Sequence, residues 1–228
     1  MEITSPTQDL QQAIQSGDVA KLTLLVKSDP QLVNTPLANG VSPLMLATYY
    51  GRSELADILL QHGAEQDICV AAARGNVARV RELLDNKPDL LNSFAPDGHI
   101  PLGLGAFFGH RAVVQLLLER GAKVNVSSRN AQKVTALHGA VSRGDIELTK
   151  LLLDKGADVD ARQERGFTPL FSAAGAGIIP LMELLVKHGA DVSARTDDGK
   201  TAYDIALERK QEKAAEWLKA RMPQSAHS

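Results

Sequence analysis

Aromatic residues are scarce in this 228-residue chain: five Phe, three Tyr and one Trp, 4% of the total. A core built mainly on large rings is therefore excluded. Leu and Ala must carry the packing, and both favour helices. Cysteine is almost missing. The lone Cys69 cannot close an internal disulfide, which fits a reducing compartment. No apolar run reaches the ~18 residues that a membrane helix needs. The longest candidate, 112–118, is bounded by His110 and Arg111 before it and Glu119 and Arg120 after it. The opening residues Met1 to Pro6 lack the basic and apolar regions of a secretion signal. Neither sign of charge dominates: 25 Lys and Arg stand against 27 Asp and Glu, net -2, with a pI near 6.3. Affinity for phosphate backbones needs clustered cations. The expectation is a soluble, cytoplasmic chain whose partner is neither nucleic acid nor membrane.

What the chain does have is periodicity. Glycines recur at Gly17, Gly51, Gly75, Gly109, Gly144 and Gly177, and Thr168 and Thr201 share the same spacing. One phrase recurs with them: Val41-Ser-Pro-Leu-Met-Leu-Ala47, Val134-Thr-Ala-Leu-His-Gly-Ala140, Phe167-Thr-Pro-Leu-Phe-Ser-Ala173 and Lys200-Thr-Ala-Tyr-Asp-Ile-Ala206. A second phrase follows about eighteen residues later, with Gly-Ala after His62, Arg120, Lys155 and His188. A period near 33 with a Thr-Pro-Leu-His-x-Ala phrase resembles the ankyrin repeat. The resemblance runs from about Thr7 to Arg221, and several columns recur together. The loops Asp29-Pro-Gln-Leu-Val-Asn34 and Lys87-Pro-Asp-Leu-Leu-Asn92 resemble those of bacterial members.

Each column has a physical reading. Ser42, Thr135, Thr168 and Thr201 are N-cap residues able to accept from orphan amides of a first helix. Pro43, Pro101 and Pro169 suit the opening turn, where no amide partner is lost. Ala47, Ala71, Ala140 and Ala173 let neighbouring helices approach, and the glycine after them ends the helix. A second helix carries paired apolar residues such as Leu59-Leu60, Leu117-Leu118 and Leu152-Leu153, and Pro180 falls in its opening turn. Asn39-Gly40, Asp97-Gly98 and Asp198-Gly199 mark projecting hairpins.

The fold class is therefore an all-α repeat, a solenoid of about seven helix-turn-helix units with short β-hairpin fingers and polar terminal caps. The units span about 7–39, 40–65, 66–97, 98–132, 133–165, 166–198 and 199–222, after a tail over 1–6 and before a disordered tail over 223–228. Between Gly63 and Gln66 about nine residues are missing, so the finger between the second and third units should be absent. Two extra residues before Thr135 should lengthen another finger, in which Lys133 replaces the turn glycine. The fourth unit has Ile100 and Gly103 where a hydroxyl and an imidazole are expected, which should weaken it by about 1 kcal/mol for the cap.

Titratable groups give no reason to expect catalysis. In the resemblance His138 braces the Thr hydroxyl. His62 and His188 sit near helix C-termini, His110 follows the mid-repeat glycine, and only His99, on a hairpin, lacks a structural role. Cys69 stands in the histidine column of the third unit as a small buried filler. No Cys-x-x-Cys or His-Glu-x-x-His spacing exists. Gly103, Gly105 and Gly109 have no preceding strand or following lysine to make a phosphate loop. Asp158, Asp160, Asp197 and Asp198 read as solvated turn carboxylates. No metal, no cofactor and no enzymatic activity are expected.

The resemblance implies a protein–protein interaction module, an adaptor or regulator, that binds an unidentified protein partner through its concave face. It places in that groove the two residues before each mid-repeat glycine and the residue before each capping Thr. On this chain those positions include Tyr49, Tyr50, Arg74, Phe107, Phe108 and Arg143, with His99, Phe167 and Lys200 on the fingers. Five of the nine aromatics fall there, and aromatics and Arg are favoured contact anchors. A competing reading packs one ring of each pair against the next unit. The missing finger would leave room beside Tyr49 and Tyr50. Two alternatives stay open: a small-ligand or enzymatic groove, and a self-associating structural protein; a monomer is expected.

Overall fold

The computed structural model describes residues 5–222. Fourteen α-helices follow one another in seven pairs, with no strand among the described residues. The pairs are α1 (Pro6–Ser16) and α2 (Val19–Ser28), α3 (Pro43–Tyr49) and α4 (Ser53–Gln61), α5 (Ile68–Ala73) and α6 (Val77–Asn86), and α7 (Pro101–Phe107) and α8 (Arg111–Glu119). They continue with α9 (Ala136–Ser142) and α10 (Ile146–Asp154), α11 (Pro169–Gly175) and α12 (Ile179–Lys187), and α13 (Ala202–Glu208) and α14 (Glu212–Lys219). The first helix of each pair packs on the first helix of the next, α1 through α13, so they form one continuous layer.

The capping columns explain where the first helices start. Ser42 Oγ accepts from the Met45 amide at 3.1 Å, and Thr201 and Asp204 cap each other reciprocally. The third pair uses Asp67, whose carboxylate accepts from the Val70 amide at 2.8 Å. Its helix consequently starts one residue late relative to its glycine. Thr168 is the exception. It is buried, and its hydroxyl has no partner, because Phe171 stands where His138 supports Thr135. α7 opens on Ile100 without any side-chain cap, yet Ile100 is buried.

Stacking depends on small side chains. Ala47, Ala71, Ala140, Ala173 and Ala206 are fully buried in the first-helix layer. Mid-repeat glycines take left-handed backbone, as at Gly144 (φ 74°), and in the last pair Lys210 takes it instead (φ 58°). Pro180 sits in the first turn of α12, as its spacing implies.

The fingers are turns, each bridged at its base by a backbone bond. Leu37, Ala95, Ser128, Gln163 and Thr196 donate their amides to Val41, His99, Val134, Phe167 and Lys200 respectively. Lys133 takes left-handed backbone (φ 52°) in the longest of them. Between α4 and α5 the chain passes directly, without a finger. At the N-terminus the helix starts at Pro6 behind a capping box made by Ser5 and Gln8. Ser5 and Pro6 thus belong to the first helix rather than to a tail, because Ser5 satisfies amides of its opening turn. The tail expected over 223–228, like residues 1–4, lies outside the described residues.

Candidate functional site

A groove of about 570 Å³ opens along the first-helix layer between α7, α9 and the fingers at 128–134 and 163–167. Its cause is one missing side chain. At the third position of the first helix, α3 carries Met45, α9 His138, α11 Phe171 and α13 Asp204, whereas α7 carries Gly103. A Cβ built at Gly103 would meet only Ile100 Cγ1, at 3.5 Å. Gly139 across the groove differs. Its Cβ would lie 3.0 Å from the Phe107 backbone nitrogen, so this glycine lets α7 and α9 approach backbone to backbone.

The aromatic pairs split, one ring out and one ring in. Tyr50 and Phe107 are exposed, at 47% and 52%. Tyr49 and Phe108 are half-buried and stack on each other with centroids 6.0 Å apart. The order reverses between the pairs because Phe108 turns toward Tyr49 across the fingerless third unit. Phe107 meets Phe108 edge-on at 5.2 Å. The Tyr49 hydroxyl donates to Asp97, in the finger that joins the third and fourth units. Burial first, then that carboxylate, pushes the phenol far above its ordinary range. The room expected beside Tyr49 is thus occupied by Asp97, His99 and Phe108, while Tyr49 closes one end of the groove. Phe167 is half-buried against Phe171 and lines the other side.

His99 does have a structural role. Its Nε2 lies 3.1 Å from Nδ2 of the Asn130 side chain, tying its finger to the next. Arg74 pairs with Asp57 at 3.1 Å, and Lys200 with Glu208 at 2.7 Å. Arg143 folds back over Gly109 and donates to the Phe107 carbonyl at 3.4 Å. It belongs to a set. Arg52 donates to the Gln15 carbonyl at 2.8 Å, and His110 Nε2 lies 2.9 Å from the Ala73 carbonyl. In each case a side chain holds the end of the preceding first helix, where carbonyls lack helical partners.

A second set of inter-unit bonds uses Asn34, Asn92, Asn125 and Asp160. These accept from the amides of Glu65, Lys123, Asp158 and Asp191 at 2.8–3.1 Å. Asp160 is therefore a structural acceptor rather than a freely solvated carboxylate, and its burial raises its pKa. Asp197 and Asp198 likewise engage Arg162 and Thr196. The echo of Asn34 in Asn92, one residue type at one place in two loops, was the signal for this column.

Chemically the groove is quiet. His138 Nδ1 lies 2.9 Å from the Thr135 hydroxyl and its Nε2 3.4 Å from the Phe167 carbonyl. Burial lowers its pKa, which keeps the ring neutral. Cys69 is buried, and desolvation raises its thiol far from the range of a nucleophile. Among the described residues no cluster of His, Cys, Asp or Glu could hold a metal ion. Nor is any helix there long and apolar enough to cross a membrane.

Comparison with known families returns repeat models along the chain. Models described as ankyrin repeats match residues 39–70, 105–153 and 137–225. Similar curated proteins include ankyrin repeat and SAM domain-containing protein 6 of Mus musculus, 40% identical over 96 residues, covering 42% of this chain and 11% of that protein. Another is target of rapamycin complex 2 subunit AVO2 of Saccharomyces cerevisiae, 27% identical over 166 residues, 68% of this chain and 38% of the relative. A third is human transient receptor potential cation channel subfamily A member 1, 25% identical over 65% of this chain and 14% of the channel. The chain thus spans a minor part of each.

Proposed function

The chain belongs to the ankyrin-repeat family, and on that premise we propose that it is a non-enzymatic adaptor or regulator that holds a partner protein on its concave face. The family is a family of protein-interaction modules, and the observation that carries the reading for this chain is the exposure of Tyr50 and Phe107. Two rings turned to solvent in an aromatic-poor chain are suited to anchor a contact, since they bury large area with few rotors to freeze. The proposed contact set is Tyr49, Tyr50, Arg74, His99, Phe107, Phe108, Arg143, Phe167 and Lys200. Within it Tyr50 and Phe107 reach outward, Tyr49, His99 and Phe167 shape the walls, and Phe108 backs Tyr49. Arg74, Arg143 and Lys200 are engaged within the chain and act at the margin. A relative named as a subunit of a complex accords with a protein that works by assembly. The proposal includes a cytoplasmic monomer whose seven units follow the boundaries given above, with the first unit beginning at Ser5.

The test is affinity capture from lysate of the source cell, comparing the natural chain with a Tyr50→Ser, Phe107→Ser variant. Both rings are exposed, so the helical signal should survive the change. A protein captured by the natural chain and lost by the variant is the expected result. Equal capture by both would move the contact off this face.

A further inference from the structure

We propose that the groove over Gly103 receives a phenylalanine-sized apolar side chain from an acidic segment of the partner, with the flanking carboxylates lying against Lys133, Arg143 and Arg165. This rests on the concave-face reading and names the chemistry of what that face holds.

The apolar half of the proposal comes from the walls and floor. Leu104, Phe107, Val134 and Phe167 line the groove, and Gly103 leaves its floor open. The polar groups deepest in it are already engaged: His138 and Thr135 bond each other, and His138 also faces the Phe167 carbonyl. Beyond those two residues a guest meets mostly hydrocarbon and rings, with Gln132, Gln163 and Ser172 as the further polar lining, which favours a large apolar side chain. At about 570 Å³ the space suits one such side chain with the backbone that carries it.

The acidic half comes from the rim. Other fingers carry Asn39, Asp97 and Asp198 before their turn glycine, but the finger on this side carries Arg165. In the finger before it, Lys133 takes the place of the glycine itself. Both residues sit in left-handed backbone (φ 52° and 62°) at exposed tips. Arg165 is 67% exposed, and its carboxylate neighbour Asp198 stands 3.8 Å away. Arg143 lies exposed above Phe107. Glu164 is the one carboxylate among the lining residues, and Asp97, at the far end, is turned to the Tyr49 hydroxyl. Around the groove Lys133, Arg143 and Arg165 stand against two carboxylates, Glu164 and Asp198, which leaves the rim a net positive charge, opposite in sign to the net -2 of the chain, so it favours carboxylates over cations.

Fluorescence anisotropy with the whole chain tests both halves. The probe is a labelled peptide with one central phenylalanine between pairs of glutamates. Control peptides replace the phenylalanine with alanine, or the glutamates with lysines. The expected result is saturable binding of the first peptide, weakened about tenfold or more by either replacement and weakened by added salt. Gly103→Met should cost a similar factor by filling the groove. The helix accepts it, since the new Cβ meets only one methylene at ordinary distance, and thermal unfolding should show a chain no less stable than the natural one. Lys133→Glu with Arg165→Glu should reverse the preference toward the lysine peptide. No binding of the phenylalanine–glutamate peptide overturns the proposal, as does equal binding of the lysine peptide or indifference to Gly103→Met. A captured partner that is lost by Tyr50→Ser, Phe107→Ser but retained by Gly103→Met would overturn this inference while leaving the concave-face reading standing.

Discussion

The two halves of the array hold their units in register by different means. From the fourth unit onward, each finger is bonded to the next through the backbone: Arg129 donates to the Gly98 carbonyl, Glu164 to Gln132 and Asp197 to Arg165, at 2.8–3.0 Å. In the earlier half the third unit has no finger. There the second unit reaches the finger between the third and fourth through a side chain, with the Tyr49 phenol on Asp97 and its ring near His99 and Phe108 of the fourth. A backbone rung is independent of residue type, whereas a phenol is lost in one substitution. The half that lacks a finger has thus made its register depend on particular side chains.

The contrast can be broken from either side. The largest effect should come from Gly139→Val, which drives a side chain into the Phe107 backbone and should cost about 3 kcal/mol, the upper end for overpacking. Urea midpoints read by circular dichroism and by Trp217 fluorescence should both fall; a Trp217 midpoint that stays put would detach the last units from α9. Tyr49→Phe should cost about 2 kcal/mol, because it removes a hydrogen bond to a carboxylate. Circular dichroism should then show an early separate transition while Trp217, at the far end, keeps its midpoint. A single joint transition would mean that the halves are more tightly coupled than their different joints imply. Smaller still is a matched pair. Thr135→Val should cost about 1 kcal/mol by stripping His138 of its hydroxyl partner, whereas Thr168→Val should be neutral or stabilising, since that hydroxyl has no partner to lose.

The smallest effect is a pH dependence confined to the half that contains His138. Burial lowers its folded pKa, so below about pH 6.5, the ordinary histidine value, the unfolded chain binds more protons than the folded one. Stability should fall as pH drops through that window and level off below the folded pKa. His138→Gln should flatten the slope between pH 7 and pH 5.5; an unchanged slope would assign it to other groups.

Much of this architecture was legible in the sequence because it repeats. The helix starts at Ser42 and Thr201, the helix ends at Gly51 and Gly144, the lost finger after Gly63 and the strained turn at Lys133 each lie in a column where neighbours show the norm. What could not be read lies between columns. Tyr49 and Asp97 meet where the finger between the second and third units is missing. Arg52 and His110 share the position after the mid-repeat glycine but differ in residue type, and Arg143 does the same job from the position before its glycine, so no single residue pattern marks them. The groove was half visible: the aromatic pairs lie on the face that carries it, but only packing decides which ring turns out, and it chose Tyr50 in one pair and Phe107 in the other. Gly103 read as a weak spot is, in three dimensions, the opening of the groove. Thr168 without its imidazole could have been noticed from Phe171 alone.

The back-reaching side chains give the array an arrow. Arg52, His110 and Arg143 each close the first helix of the unit before their own, across 36 or 37 residues of sequence. During synthesis such a helix stays open at its carboxyl end until its successor has left the ribosome, so completion travels in the direction of translation and trails it by one unit. At these three joints the two ends of a cut are therefore unequal. Trimming from the front leaves a donor with nothing to grip, on a side chain that water can satisfy. Trimming from the back uncaps a helix, and the last unit remaining frays first.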